Sequence, residues 1–92
     1  MIKTFAHTGL EDFFYDGTLK GIQPKHAGKL GAILDRLDAA RSVQDMNYPG
    51  ARLHLLEPRQ NNRWSVKVSA NWRVTFIFED GHAYEVNYLD YH

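Results

Sequence analysis

Three consecutive positions, Asp90, Tyr91 and His92, carry a carboxylate, a phenol and an imidazole. The first and third can move protons, and the phenol can order a nucleophile or stack on an unpaired base. Two further side chains belong with them by type, the guanidinium of Arg73 and the imidazole of His54. Together they suit scission of a phosphodiester by a neighbouring 2′-hydroxyl. That reaction needs a base for the hydroxyl, a cation for the crowded phosphorane and an acid for the departing 5′-oxygen. Other chemistries lack their residues: there is no cysteine, no phosphate-cradling glycine loop, no Gly-x-Ser-x-Gly and no His-Glu-x-x-His. A zinc site built from His54, His82 and His92 fits no ligand spacing, so neither a metal nor a cofactor is expected.

Each of these residues also has a plain structural reading. Arg73 alternates with Trp72 and Val74, which turns it to the face opposite theirs; there it can fork onto a phosphate or pair across strands with Glu85. His54, between Leu53 and Leu55, can face the open side of a sheet as a proton carrier or simply be solvated. The segment Asp90-Tyr91-His92 can equally be the polar end of a last strand. His7, His26 and His82 read as loop or helix-surface residues.

The elements that position these groups follow from hydrophobic period. Ile2 to Phe5 alternates like a short strand. Thr8 to Glu11 has the pattern of a capping box opening a helix through Phe13 and Phe14, which Asp16-Gly17 ends. Pro24 opens a second helix, with Leu30, Ile33, Leu34 and Leu37 as its apolar stripe. Gly28 and Gly31 on that helix suggest close packing against a neighbour. Ser42 to Met46 is a capped helical turn, and Asn47 to Gly50 a loop. The period then changes to two: Arg52 to Leu55, Trp64 to Val68, Trp72 to Phe78, and Ala83 to Tyr88, the last two joined by the hairpin signal Asp80-Gly81. The expected architecture is α+β, a mostly antiparallel sheet of four to five strands with two to three helices on one face. Trp72, Val74, Phe76, Val66 and Val68 meet the helices; Arg73, Lys67, Thr75 and His54 occupy the other face.

At 92 residues the chain is expected to form one domain spanning 1–92. Absence of cysteine and of a long apolar opening points to the cytoplasm, with no membrane partner. The 11 Lys and Arg balance 11 Asp and Glu, which argues against a protein held on nucleic acid by net charge. The balance is uneven along the chain: Arg52, Arg59, Arg63, Lys67 and Arg73 oppose Glu57 alone, whereas Glu79, Asp80, Glu85 and Asp90 have no cation among them. A locally basic face is therefore available to phosphate.

The run Ala70-Asn71-Trp72-Arg73-Val74-Thr75-Phe76, with Gly81, Ala83-Tyr84 and the closing Tyr88-Leu89-Asp90-Tyr91-His92, resembles the HigB toxins of the RelE/ParE superfamily over the whole chain. The resemblance implies a RelE-like fold that enters the ribosomal A site, contacts rRNA and cleaves mRNA there. It also implies repression by a HigA-like antitoxin with a helix-turn-helix domain. On this resemblance His54, Arg73, Asp90, Tyr91 and His92 form the active site. Arg73 would neutralise the scissile phosphate and Tyr91 would position the nucleotide or assist proton transfer, while Asp90, His54 and His92 compete for the acid and base roles. Arg59, Arg63 and Lys67 would bind RNA. HigB relatives commonly carry lysine three positions after the histidine, where this chain has Glu57. A ParE-like toxin that binds gyrase without enzymatic activity is the second reading, since the superfamily supports both outcomes. An inactive complex-forming member is the third.

Overall fold

The computed structural model describes residues 1–56 and 62–91. The chain forms α1 (Thr8–Asp16), a 3-10 turn (Pro24–His26), α2 (Ala27–Ala39) and a second 3-10 turn (Val43–Met46). Four strands follow: β1 (His54–Leu55), β2 (Arg63–Ser69), β3 (Trp72–Glu79) and β4 (His82–Asp90).

The stripe expected on α2 is the one it buries: Leu30, Ile33, Leu34 and Leu37 are all in the core. Fully burying side chains of this kind contributes about 1.5–3 kcal/mol each. They meet Val66, Val68, Val74, Phe76, Val86 and Tyr88 from one face of the sheet, with Leu10 of α1 in the same cluster. The strands run antiparallel in the order β1-β2-β3-β4. The Asp80-Gly81 hairpin is as expected, with both residues in the left-handed region at φ 53° and 79°.

Several local expectations are corrected. The cap of α1 is His7, whose Nδ1 accepts the Leu10 amide at 2.9 Å, in place of Thr8. The imidazole reaches the same orphan amide that a capping hydroxyl would have taken. Close packing occurs at Gly9 and Gly21, not at Gly28 or Gly31. A Cβ on Gly9 would lie 2.6 Å from the Gly21 Cα, whereas one on Gly28 would meet nothing and one on Gly31 only a Phe13 ring atom at 3.9 Å. The strand expected from Arg52 starts at His54, because Arg52 itself has φ 49°, outside the extended region.

The opening segment pairs, though as two parallel bridges beside β4 rather than as a continuous strand: Ile2 with Ala83 and Phe5 with Val86. The break has a cause. Glu85 is bulged out of β4 at φ 51°, and its amide donates to Thr4 Oγ1 at 2.8 Å instead of to a backbone carbonyl. The bulge adds one residue to β4, so that Thr75 faces Asn87 while Ile77 faces Tyr84. Asp38 on α2 accepts the Ile2 amide at 2.9 Å and ties this edge to the helical layer.

Candidate active site

The sheet face away from the helices can be laid out from register, since cross-strand partners share a face. One row runs His54, Ser65, Thr75, Asn87 across the four strands. The next runs Lys67, Arg73, Leu89, and the row on the other side Arg63, Ile77, Tyr84. His54 and Arg73 are therefore two strands and one row apart, about 10 Å across and about 7 Å along the sheet between Cα atoms. Ser65 lies diagonally between them. Cations thus surround a floor of small hydroxyl residues.

His54 is exposed, and its Nδ1 is 3.3 Å from the Arg52 carbonyl oxygen. A carbonyl only accepts, so Nδ1 carries the proton in this contact, and in the neutral ring the lone pair that a base requires is then on Nε2. Arg63 forms an ion pair with Glu85 at 3.1 Å. Glu85 is thereby not the partner of Arg73, whose Nη1 is buried and has no hydrogen bond among the described residues. Among the described residues no carboxylate lies within ion-pair distance of Arg73 or Lys67. Ser65 is fully buried, and among the described residues its Oγ also lacks a partner.

Tyr91 continues the sheet by one residue, its amide donating to the Asn71 carbonyl at 2.8 Å. By alternation it stands on the side of Leu89 and Arg73, and it is 40% exposed. Asp90 is the cross-strand partner of Trp72, which alternation sets on the opposite side, and its charge acts on Tyr88. Asp90 and Tyr91 therefore flank the end of β4 on its two sides. Arg59, Glu57 and His92 fall outside the described residues.

Beneath Asp90 lies a cluster that the sequence reading missed. His26, placed there on a helix surface, is buried. Its Nδ1 is 2.6 Å from the Tyr88 hydroxyl, which also accepts the Gln23 amide at 3.4 Å. Trp72 stacks on Tyr88 at 4.6 Å, and His7 meets the same ring edge-on at 5.5 Å. Burial holds His26 below the ordinary imidazole value, helped by Lys25 and Lys29; burial also lowers His7 and raises Tyr88. The His26 position lies at the foot of α2, and only a hydroxyl contributed from β4 reveals its role.

A separate cleft lies between α2 and the second 3-10 turn, lined by Arg36, Ala40, Gln44, Asp45 and Asn47. Its carboxylate is already engaged: Asp45 accepts the Arg41 and Ser42 amides, which hold it below the usual carboxylate range. Nothing there combines a base with a free cation, so the sheet face is the better site.

The four-stranded antiparallel sheet backed on one face by helices is an α+β architecture consistent with that of RelE-like toxins. The sequence profile described as "RelE-like toxin of type II toxin-antitoxin system HigB" matches residues 3–92, and the chain belongs to that family. The protein named endoribonuclease HigB from Proteus vulgaris is 38% identical over 92 residues, the whole of both chains. An uncharacterized protein of Haemophilus influenzae is 37% identical over 62 residues, 64% of this chain and 58% of its own.

Proposed function

We propose that this toxin is an endoribonuclease that cleaves mRNA in the ribosomal A site through the polar face of its sheet. Under this reading it acts in the cytoplasm, without a metal or cofactor, and is neutralised by a HigA-like helix-turn-helix antitoxin. The observation that carries the reading is the Arg73 guanidinium. Among the described residues it has no carboxylate partner, and it stands beside Lys67 and shares its face with His54 and Tyr91. The name of the full-length Proteus vulgaris relative agrees with it.

In the reaction, the 2′-oxygen attacks phosphorus as its proton passes to a base, and the bond to the 5′-oxygen breaks as an acid supplies a proton. The products are a 2′,3′-cyclic phosphate and a free 5′-hydroxyl. Arg73 stabilises the phosphorane, and His54 Nε2 has the free lone pair of a base. Tyr91 stacks on or orders the nucleotide, with Asp90 and His92 completing the proton chemistry. Lys67 and Arg59 supply charge to the RNA, and Arg63 does so in competition with Glu85.

The test is incubation with programmed ribosomes and mapping of message ends. Wild type yields A-site cuts. Arg73→Ala lowers the rate by about 10²–10³-fold, the usual effect of removing a group that stabilises developing charge. Intact message with wild type overturns the proposal.

A further inference from the structure

Four buried polar side-chain atoms have no hydrogen-bond partner among the described residues, Tyr48 Oη, His82 Nδ1, Ser65 Oγ and Arg73 Nη1, and of these Ser65 Oγ and Arg73 Nη1 are close in register on the open face of the sheet. They lie on neighbouring strands at diagonal register positions, Ser65 opposite Thr75 and Arg73 opposite Lys67. Diagonal neighbours are close enough for a long side chain to reach across. Buried polar groups in folded proteins nearly always have partners, so two orphans in neighbouring register positions are a candidate place for a partner supplied from outside. The guanidinium nitrogen can only donate, and the hydroxyl has one hydrogen to give. The group that satisfies both is a compact acceptor with several oxygens.

We infer that Ser65 Oγ and Arg73 Nη1 together bind one phosphate group, with Ser65 donating to a non-bridging oxygen while Arg73 neutralises the charge. The surroundings fit an anion. His54 and Thr75 flank Ser65 on the adjacent strands, Arg63 and Lys67 flank it along β2, and the Glu85 carboxylate is held by Arg63. Ser65 is 0% exposed, so it would form the floor of such a site. The assignment rests on the reading above for its natural substrate, the scissile phosphate of RNA. Its geometry does not depend on that reading.

The experiment has two arms. In the first, inorganic phosphate is titrated into the 15N-labelled full chain. The Ser65 amide and the Arg73 side-chain Nε–H resonances should shift together and saturate, and Ser65→Ala should weaken binding by about tenfold or more, as loss of a charge-assisted hydrogen bond does. In the second, cleavage on programmed ribosomes should slow by a similar factor in Ser65→Ala and recover in Ser65→Thr, with the melting temperature of each variant recorded. Phosphate shifts that bypass Ser65 and Arg73 in the wild type overturn the inference, whatever the variants do. So does a folded Ser65→Ala that binds and cleaves like wild type. Coupled shifts in a wild type that cuts no message keep the phosphate site and reject the endoribonuclease reading instead.

Discussion

The two histidines on the helical side are held neutral by different partners. His7 Nδ1 accepts the Leu10 amide, and His26 Nδ1 faces the Tyr88 hydroxyl, whose own hydrogen is free to be donated because the Gln23 amide already donates to its oxygen. Protonation at Nδ1 breaks either arrangement, and burial lowers both groups from the ordinary value of 6.5. In the unfolded chain they take up protons near that value; in the folded chain they do so only at lower pH. Their contribution to stability is therefore complete above about pH 6.5 and is lost as pH falls through the depressed folded values. Thermal melting between pH 7 and pH 5 should show a falling midpoint. His7→Asn, which keeps a capping acceptor but cannot titrate, should flatten part of that slope. Residue types alone do not reveal any of this. Arg73 on the open face was legible, because alternation around Trp72 and Val74 decides it. His26 was not, because its environment is made by a residue 62 positions away.

At the scale of elements, the approach of α1 to the turn before α2 depends on two hydrogen atoms. A methyl group at Gly9 would stand 2.6 Å from both the Cα and the carbonyl oxygen of Gly21, and one at Gly21 would stand 2.4 Å from the Gly9 Cα. Backbone has to move to admit it. Gly9→Ala should destabilise the protein by about 1–3 kcal/mol despite its gain in helix propensity. Gly28→Ala, with nothing within 4 Å of the new methyl, should stabilise by about 0.5–1 kcal/mol. Denaturant unfolding of the pair measures both, and equal effects would show that the contact is soft. The sequence carries the opposite suggestion, since Gly28 and Gly31 sit inside a helix where glycine looks costly, whereas Gly9 and Gly21 sit near element ends where it looks ordinary. The stripe of α2 and the strands β2 to β4 were legible from period. The bulge at Glu85 was not, since no glycine marks it and a hydroxyl from Thr4 compensates for its lost ladder bond.

At the scale of the whole molecule, zero net charge coexists with a cationic face, because among the described residues the acidic side chains form no ion pair with Lys67 or Arg73. Arg63, by contrast, is paired with Glu85. Glu85→Gln should release that guanidinium, raise affinity for RNA at low salt and steepen the dependence of binding on salt by about one counterion. Filter binding at several ionic strengths measures it, and an unchanged slope would remove Arg63 from the RNA-facing set. The α+β class was legible from the order of helical and strand periods. The parallel bridges at the far edge were less so, because Thr4 and Glu85 meet from 81 positions apart. That separation sets a timetable for synthesis. At about 5–20 residues per second, the opening segment waits roughly 4–16 seconds for the strand it lies against to be made. During translation the helices can assemble early, while the cationic face and the edge that braces it form only as the last strands emerge. Under the proposed reading, the nascent toxin lacks its site until those strands are made.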